Sequence, residues 1–296
     1  MSLQSFQLNT YILRSDQKDY QENKNKKITI YKKIGEGSYG IVFLIDNDHV
    51  IKIFKNSNYK ETILSETNYL IPIKNENREL IFFFKYMNKT KEKNLIINLY
   101  AIGIIKDVII DNSIKLDKNS YFIILPLCIP FYETFNVLNI PLLNKKNGIN
   151  FTLNVMKRLV EISLFLENKY NTINLDFKLN NFMLNKRTKN LNDLIMIDFS
   201  IIKKKTKKKY DINKNYYIWP VENNQNIECI PSYSICINGL ELLFGRNEVL
   251  DLPNKNKINK FLKEINNKNN NIIHIFYNGL ILKINTENFL KLFLNF

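Results

Sequence analysis

Four residues near the middle of the chain have the types and the spacing of a phosphoryl-transfer site. Asp176, Lys178 and Asn181 fall within six residues, and Asp198 follows soon after them. A carboxylate can accept the proton of an attacking hydroxyl, and an ammonium can neutralise charge on a moving phosphoryl group. An amide oxygen and a second carboxylate are suitable ligands for Mg²⁺. We therefore predict that Asp176 and Lys178 are catalytic and that Asn181 and Asp198 bind a metal ion.

A glycine cluster near the start of the chain is the second feature that suggests chemistry. Three of the eight glycines, Gly35, Gly37 and Gly40, lie within six residues, directly before the β-branched run 41–45. The pattern G-x-G-x-x-G joins a strand to a helix in dinucleotide-binding folds. Here a strand follows, so the pattern predicts a β-hairpin. This hairpin can cover nucleotide phosphates with its backbone, or it can be an ordinary glycine turn.

A lysine in a strand and a glutamate in a helix are candidates for an ion pair. Lys52 lies among apolar residues of the predicted strand 49–54, where an amine needs a partner. The predicted helix 58–71 carries Glu61 and Glu66. Either glutamate can instead be a solvated helix residue, which is the commoner case.

Composition limits the class of protein. A chain of 296 residues with 45% apolar content can form one large domain or two lobes. Three cysteines without C-x-x-C spacing favour a reducing compartment, and two histidines offer little material for a zinc site. The first 28 residues do not have the form of a signal peptide, and no apolar run reaches about 18 residues. We expect an intracellular, cytoplasmic protein without a membrane span.

The net charge of +15 suggests a polyanionic partner, but a solvated lysine surface is the better explanation of most of this charge. The basic run Lys203–Lys209 has no interleaved aromatic residues, so no stable binding to nucleic acid is expected. We hypothesise that this run attracts acidic or phosphorylated substrates, and the alternative is a mobile, solvated loop. The sequence does not indicate an oligomeric state.

Apolar periodicity predicts a β-rich first part and a helical second part. Residues 1–27 show no clear periodicity and are assigned to an N-terminal extension. Strands are predicted at 28–31, 41–45, 49–54, 95–110, 121–127, 182–184 and 194–197. Helices are predicted at 151–166 and 234–245, with two weaker ones between 254 and 296.

The motifs, taken in the order in which they occur along the chain, resemble those of eukaryotic-type protein kinases. Gly35–Gly40 resembles the glycine-rich loop, and Lys52 resembles the lysine of V-A-I-K. The residues 174–181 resemble the catalytic loop H-R-D-x-K-x-x-N, and 198–200 resemble the metal-binding D-F-G. The resemblance extends from about residue 28 to residue 245. Within the family, the chain is similar to divergent serine/threonine kinases of large DNA viruses such as poxviruses.

The resemblance implies an α+β, two-lobed protein-kinase-like fold for residues 28–296. The N-lobe would be antiparallel and β-rich (about 28–127), and the C-lobe mainly helical and shortened (about 128–296). ATP and Mg²⁺ would be the cofactors, and serine or threonine hydroxyls of protein substrates would accept the γ-phosphate. The residues implied to bind the nucleotide, with Glu66 paired to Lys52, are Ile34, Gly35, Gly37, Gly40, Val42, Lys52 and Glu66.

The chain departs from the family pattern in residues that brace or regulate the catalytic loop. The charged residues of the site are nevertheless all present, which favours an active enzyme. The alternative is a catalytically weak or inactive pseudokinase that acts as a binding module. The departures are Asn174 and Leu175 in place of the histidine and arginine of H-R-D, Ser200 in place of the glycine of D-F-G, and Pro231 near the position of a bracing aspartate.

Overall fold

The computed structural model describes residues 4–12, 21–37, 40–54, 95–97, 100–105, 121–185, 190–198, 202–205, 227–249 and 255–294. The chain forms two compact units, Met1–Cys128 and Ile129–Phe296. The first contains a large antiparallel sheet, and the second is mainly helical with small sheets. The predicted α+β fold class is therefore confirmed.

The described part of the first unit is organised around a sheet of seven strands. All neighbouring strands are antiparallel. In chain order the strands are β1 (Gln4–Ile12), β2 (Gln21–Ile30), β3 (Lys32–Glu36), β4 (Gly40–Leu44), β5 (His49–Phe54), β6 (Ala101–Ile105) and β7 (Tyr121–Pro126). Across the sheet they lie in the order β2-β1-β6-β7-β5-β4-β3.

Strand β5 is buried on both of its faces. Ile51 and Ile53 are fully buried in a cluster with side chains from β2, β4 and β7. Val50 and Phe54 point to the opposite face, because side chains alternate along a strand, and they are buried as well. Lys52 lies on the face of Val50 and Phe54 and is half-buried. The strand therefore holds one cationic side chain within apolar surroundings, as the sequence predicted.

The residues assigned to an N-terminal extension contribute two strands to this sheet. Strand β1 pairs with β6, and β2 continues through the predicted boundary between residues 27 and 28. In β2, residues 21–27 are all polar, so apolar alternation could not predict a strand there, whereas β1 has Phe6, Leu8 and Ile12 at even spacing, a short alternating pattern that the prediction overlooked. The predicted helix 58–71, with Glu61 and Glu66, lies outside the described residues.

The second unit begins after Cys128 and is built mainly from helices. The predicted hairpin is confirmed: β10 and β11 are antiparallel. The strands of this unit are β8 (Cys128–Pro130), which begins at the last residue of the first unit, β9 (Thr172–Asn174), β10 (Phe182–Asn185), β11 (Leu194–Met196) and β12 (Ile202–Lys204). Its helices are α1 (Phe131–Phe135), α2 (Gly148–Tyr170), α3 (Ile230–Phe244), α4 (Arg246–Val249), α5 (Lys255–Lys268), α6 (Ile273–Tyr277) and α7 (Thr286–Lys291).

Helices α2 and α3 pack together in the core of this unit. Every residue of α3 is buried, and one face of α2 is buried. Helix α2 ends at Asn171, which adopts the left-handed conformation with φ of 52°. Asparagine tolerates this conformation, so the chain turns there and enters β9 directly. The two helices thereby support the segment that carries the candidate site.

One helical stretch in the described part of the chain has the length and apolar character of a membrane span. It is Ile227–Phe244, and 89% of it is buried inside the protein. A core helix passes the same test of length and composition. The burial of α3 against its neighbours accounts for its apolar sequence.

Candidate active site

The candidate catalytic residues lie on a loop between strands β9 and β10. Leu175, Phe177 and Leu179 alternate with the polar residues and are buried in the core. The backbone folds back on itself where Lys178 N donates to Asp176 O at 3.0 Å. The three apolar side chains therefore anchor the loop. Asp176 and Lys178 are held between these anchors.

The carboxylate of Asp176 is buried and is held on one side only. Its Oδ2 accepts hydrogen bonds from Lys178 Nζ at 2.7 Å and from Asn181 Nδ2 at 2.9 Å. The residue is 4% exposed, and its Oδ1 has no hydrogen-bond partner among the described residues. An unpaired buried carboxylate oxygen costs free energy unless a ligand satisfies it. Oδ1 is thus an unpaired acceptor on a carboxylate that two hydrogen bonds hold in place.

The hairpin β10–β11 brings the two predicted metal ligands together. Asn181 precedes β10 directly, and Asp198 follows two residues after β11. The register pairs Phe182 with Met196, so the start of one strand lies beside the end of the other. Ile197 N also donates to Asn181 O at 3.0 Å. Residues 17 positions apart in the sequence therefore meet at one end of the hairpin.

The donor set at this end of the hairpin fits Mg²⁺. Both hydrogen bonds of the Asn181 side chain are donated by Nδ2, which leaves its amide oxygen as a ligand. Asp198 supplies a half-buried carboxylate. The described residues contain no cluster of three or more histidine, cysteine, aspartate or glutamate side chains. Mg²⁺ is commonly held by one or two protein oxygens together with substrate phosphates and water, so two ligands suffice.

Asn174 connects the catalytic loop to the segment that carries Asp198. Its Oδ1 accepts from Asp176 N at 2.7 Å, and its Nδ2 donates to Asp198 O at 3.2 Å. The side chain is 2% exposed. From the sequence, the asparagine counted only as a departure from the family pattern. In the structure it offers both an acceptor and a donor, which position two of the predicted site residues.

Asn238 braces the loop from helix α3, and the sequence analysis missed it. Its Oδ1 accepts from Leu179 N at 2.9 Å, and its Nδ2 donates to Phe177 O at 2.7 Å. Pro231, near the position where the resemblance implies a bracing aspartate, lies seven residues earlier in the first turn of the helix. One signal was available: Asn238 is a polar residue within a helix whose neighbours are almost all apolar, and a buried polar group needs partners.

Lys205, within the basic run 203–209, forms an ion pair with a buried carboxylate. Strand β12 pairs with β9, and Lys205 N donates to Asn171 O at 2.8 Å. The amine lies 2.9 Å from Oε2 of Glu167, whose side chain is 2% exposed. Ser163 Oγ donates to the other oxygen of this carboxylate at 3.2 Å. Lys205 is therefore neither a free substrate-binding cation nor part of a solvated loop, and residues 206–209 lie outside the described part.

The variant Lys205→Met should unfold more easily than the wild-type protein. It leaves the buried carboxylate of Glu167 with one donor, which should lower the free energy of unfolding by about 2 kcal/mol at pH 7. Burial opposes the charge on Lys205, but the hydrogen bond and charge of Glu167 outweigh it and raise the pKa of the amine above 10.5. The ion pair should therefore stabilise the fold below pH 10.5, and this stabilisation should be lost as the pH rises through the pKa of the amine in the folded protein. Urea denaturation at pH 7 measures the loss of stability, and urea denaturation at rising pH measures how the stabilisation by the ion pair disappears.

The control for this prediction is Lys263→Met, which removes a charge from an exposed position of α5. It should change the free energy of unfolding by less than about 0.5 kcal/mol. Adding Glu167→Gln to Lys205→Met should restore part of the loss, because a neutral amide is less costly to bury than a carboxylate. Equal stability of Lys205→Met and the control would show that the ion pair does not stabilise the fold.

In the first unit, packing explains one of the three clustered glycines and leaves the other two unexplained. Strands β3 and β4 form the predicted hairpin, which is closed by a hydrogen bond from Gly37 N to Gly40 O at 2.9 Å. A Cβ on Gly40 would lie 2.7 Å from the carbonyl oxygen of Ile53, so strand packing requires glycine there. A Cβ on Gly35 would come no closer than 3.9 Å to another atom, and one on Gly37 would contact nothing. Packing therefore does not explain Gly35 and Gly37.

Several of the predicted nucleotide-binding residues lie in one row across the sheet. Gly35 pairs with Val42, Val42 pairs with Lys52, and Lys52 pairs with Ile123 of β7. Directly opposed residues on neighbouring strands share a face of the sheet. The amine of Lys52 lies 5.0 Å from the centre of the aromatic ring of Phe54, which is on the same strand. The predicted pairing of Lys52 with Glu66 remains a prediction.

Ile34 is the most exposed of the predicted nucleotide-binding side chains in the hairpin. It is 46% exposed and lies where the register between β3 and β4 shifts by one residue. Ser38 and Tyr39, at the tip of the hairpin, lie outside the described residues. The backbone around Ile34 is thus irregular beside the two glycines that packing does not explain.

No model of a known protein family matches the chain, and no curated protein matches it significantly. The function must therefore be inferred from the chemistry of the described residues. The strongest basis is the group formed by Asp176, Lys178, Asn181 and Asp198.

Proposed function

We propose that the chain is an ATP-dependent protein kinase with a two-lobed kinase-like fold. It transfers the γ-phosphate of MgATP to serine or threonine hydroxyls of protein substrates. The observation that carries this proposal is the carboxylate of Asp176, which is buried, held at Oδ2 by Lys178 and Asn181, and without a hydrogen-bond partner at Oδ1 among the described residues. General bases are positioned in this way, with one oxygen fixed and the other directed at the reacting hydroxyl.

In the proposed reaction, Oδ1 of Asp176 accepts the hydrogen of the substrate hydroxyl. The hydroxyl oxygen forms a bond to the γ-phosphorus, the bond from that phosphorus to the leaving oxygen of ADP breaks, and the proton passes to Asp176. Lys178 lies 2.7 Å from Asp176, where its charge can also stabilise the transferred group. Asn181 and Asp198 would hold Mg²⁺, which neutralises phosphate charge when bound.

The proposed role of the first unit is to bind the nucleotide phosphates. Backbone amides near Gly35 and Gly37 would contact them, because glycine permits a close approach and packing gives no other reason for these residues. Lys52 would provide a positive charge on the face that it shares with Val42. Together these features give the first unit the two kinds of group that bind phosphates, namely backbone N–H donors and a cation.

The proposal is tested by incubating the purified full chain with MgATP labelled at the γ-phosphate. One acidic and one basic protein serve as substrates, and the products are hydrolysed and analysed for phosphoserine and phosphothreonine. We expect labelled protein that depends on Mg²⁺ and disappears when a chelator is added. Binding of MgATP without transfer to either protein would refute the kinase activity and favour a nucleotide-binding module.

Two glycine variants separate a role in nucleotide binding from a role in packing. Gly37→Ala adds a Cβ that contacts nothing, so stability should not change, whereas the dissociation constant for MgATP should rise about tenfold. Gly40→Ala places its Cβ 2.7 Å from a backbone oxygen and should destabilise the fold by about 1–3 kcal/mol. Thermal unfolding and equilibrium nucleotide binding measure the two effects. Unchanged MgATP affinity in Gly37→Ala would count against a phosphate-binding hairpin.

A further inference from the structure

Arg246 reaches the outer side of the catalytic loop from the end of helix α3. The helix ends at Gly245, whose φ of 91° is accessible to glycine and turns the chain into α4. Arg246 is the first residue of α4, and its Nη1 donates to Asn180 Oδ1 at 3.0 Å. Asn180 is exposed and directly precedes Asn181, whose side chain contacts Asp176. The guanidinium therefore lies beside the loop that carries Asp176.

The charge of Arg246 is only partly compensated by its neighbours in the described part of the chain. Its Nε lies 3.8 Å from Oε1 of Glu241, which is too long for a hydrogen bond. The same oxygen accepts a hydrogen bond from the hydroxyl of Tyr132. Burial raises the pKa of Glu241, while Tyr132 and Arg246 lower it, with burial the larger effect. Glu241 is thus buried and shared between two partners.

The guanidinium of Arg246 is partly exposed to solvent beside the loop. A guanidinium carries five N–H groups, and one of them makes a hydrogen bond among the described residues. The side chain is 28% exposed, whereas that of Glu241 is 2% exposed. The cation is therefore reachable from solvent, and the neighbouring anion is not. A planar guanidinium that solvent can reach is well suited to bind a carboxylate or a phosphate.

We infer that Arg246 determines substrate specificity by binding an anionic side chain close to the accepting hydroxyl. This inference rests on the proposed kinase function. A residue of extended peptide spans about 3.3–3.6 Å, so side chains two to four residues from the acceptor can reach a group roughly 7–14 Å away. The anion is a carboxylate of aspartate or glutamate or the phosphate of a phosphorylated residue. Arg246 acts on specificity and not on the transfer step.

The test uses peptides with a single serine and alanine at the other positions. Glutamate is placed at each position from four residues before the serine to four residues after it. For the wild-type protein, we expect kcat/KM about tenfold higher for glutamate than for alanine at one of these positions. At that position, lysine and phosphoserine are then compared with glutamate. Faster transfer with phosphoserine would identify phosphate as the preferred anion, and equal or slower transfer would identify the carboxylate.

Variants at Arg246 distinguish binding of the anion from support of the loop. Arg246→Ala should bring the ratio of glutamate to alanine close to one, and Arg246→Lys should retain part of the preference. Arg246→Glu should reverse the preference, so that the lysine peptide becomes the better substrate. Lys263→Ala, at an exposed position of α5, is the control and should keep the wild-type ratio. Thermal unfolding verifies that each variant is folded.

The outcomes separate this inference from the function on which it rests. If the wild-type protein phosphorylates peptides, but Arg246→Ala lowers kcat/KM equally for all of them, the arginine only supports the loop. The kinase proposal would then stand and the specificity role would be refuted. If the wild-type protein transfers phosphate to no peptide or protein, the kinase proposal fails and this inference fails with it.

Discussion

The variant Asp176→Asn should lose phosphate transfer by a factor of about 10²–10⁴, which is the usual contribution of a positioned general base. The amide keeps the size of the carboxylate but cannot accept the proton of the substrate hydroxyl. Binding of MgATP should be little affected, because the predicted metal ligands are Asn181 and Asp198. Single-turnover transfer and equilibrium nucleotide binding, measured on the same preparation, separate the two effects.

Asp193→Asn provides a matched control for this variant. Asp193 lies in the short 3₁₀ helix Leu191–Asp193, directly before strand β11, and is not among the contacts of Asp176. It should retain the wild-type rate of transfer. If Asp176→Asn transferred phosphate as fast as this control, the loop would not contain the general base, and the proposed mechanism would be wrong.

The variant Asn238→Ala should lose both stability and activity. It leaves the buried Leu179 N and Phe177 O without partners, and each unsatisfied group costs about 1–3 kcal/mol. We expect the free energy of unfolding to fall by about 3 kcal/mol, which corresponds to a decrease of roughly 10 °C in Tm. The rate of transfer should also fall, since both lost bonds are made to the loop between Asp176 and Asn181.

Two further variants show whether Asn238 acts through its hydrogen bonds. Asn238→Asp keeps an acceptor for Leu179 N. When its carboxyl is ionised it has no donor for Phe177 O, and when it is protonated its O–H can replace the amide donor, so the loss of stability should be smaller at a pH where the carboxyl is protonated. Asn267→Ala, at an exposed position of α5, should change stability by less than about 0.5 kcal/mol. A Tm for Asn238→Ala equal to that of Asn267→Ala would show that the loop does not depend on α3.

Features encoded by neighbouring residues could be predicted from the sequence. The helix around Phe151–Leu166 follows from apolar residues at helical spacing, and the structure extends it to Gly148–Tyr170. The hairpins follow from short β-branched runs separated by polar residues, and both are present. The grouping of Asp176, Lys178 and Asn181 also follows from their spacing, because all three lie on one short loop.

Features that depend on distant residues could not be predicted in the same way. Strand β1 pairs with β6, about 90 residues further along the chain, and β2, whose residues 21–27 are all polar, joins the sheet through β1. The sequence likewise contained no sign that Lys205 would pair with Glu167, which is 38 residues away. A pattern within one segment indicates its own periodicity, but it does not identify the partner of a polar group on another segment.

The chain of 296 residues thus determines by itself which groups are available for chemistry and how they are spaced along each element. Only the tertiary structure decides how those groups are oriented. Asn174 and Asn238 look like ordinary polar residues in the sequence, yet their amides fix the loop that carries Asp176. The physical reason is that a buried amide is stable only when its donors and acceptors are satisfied. Those partners are brought within reach when β9, β11 and α3 pack around the loop.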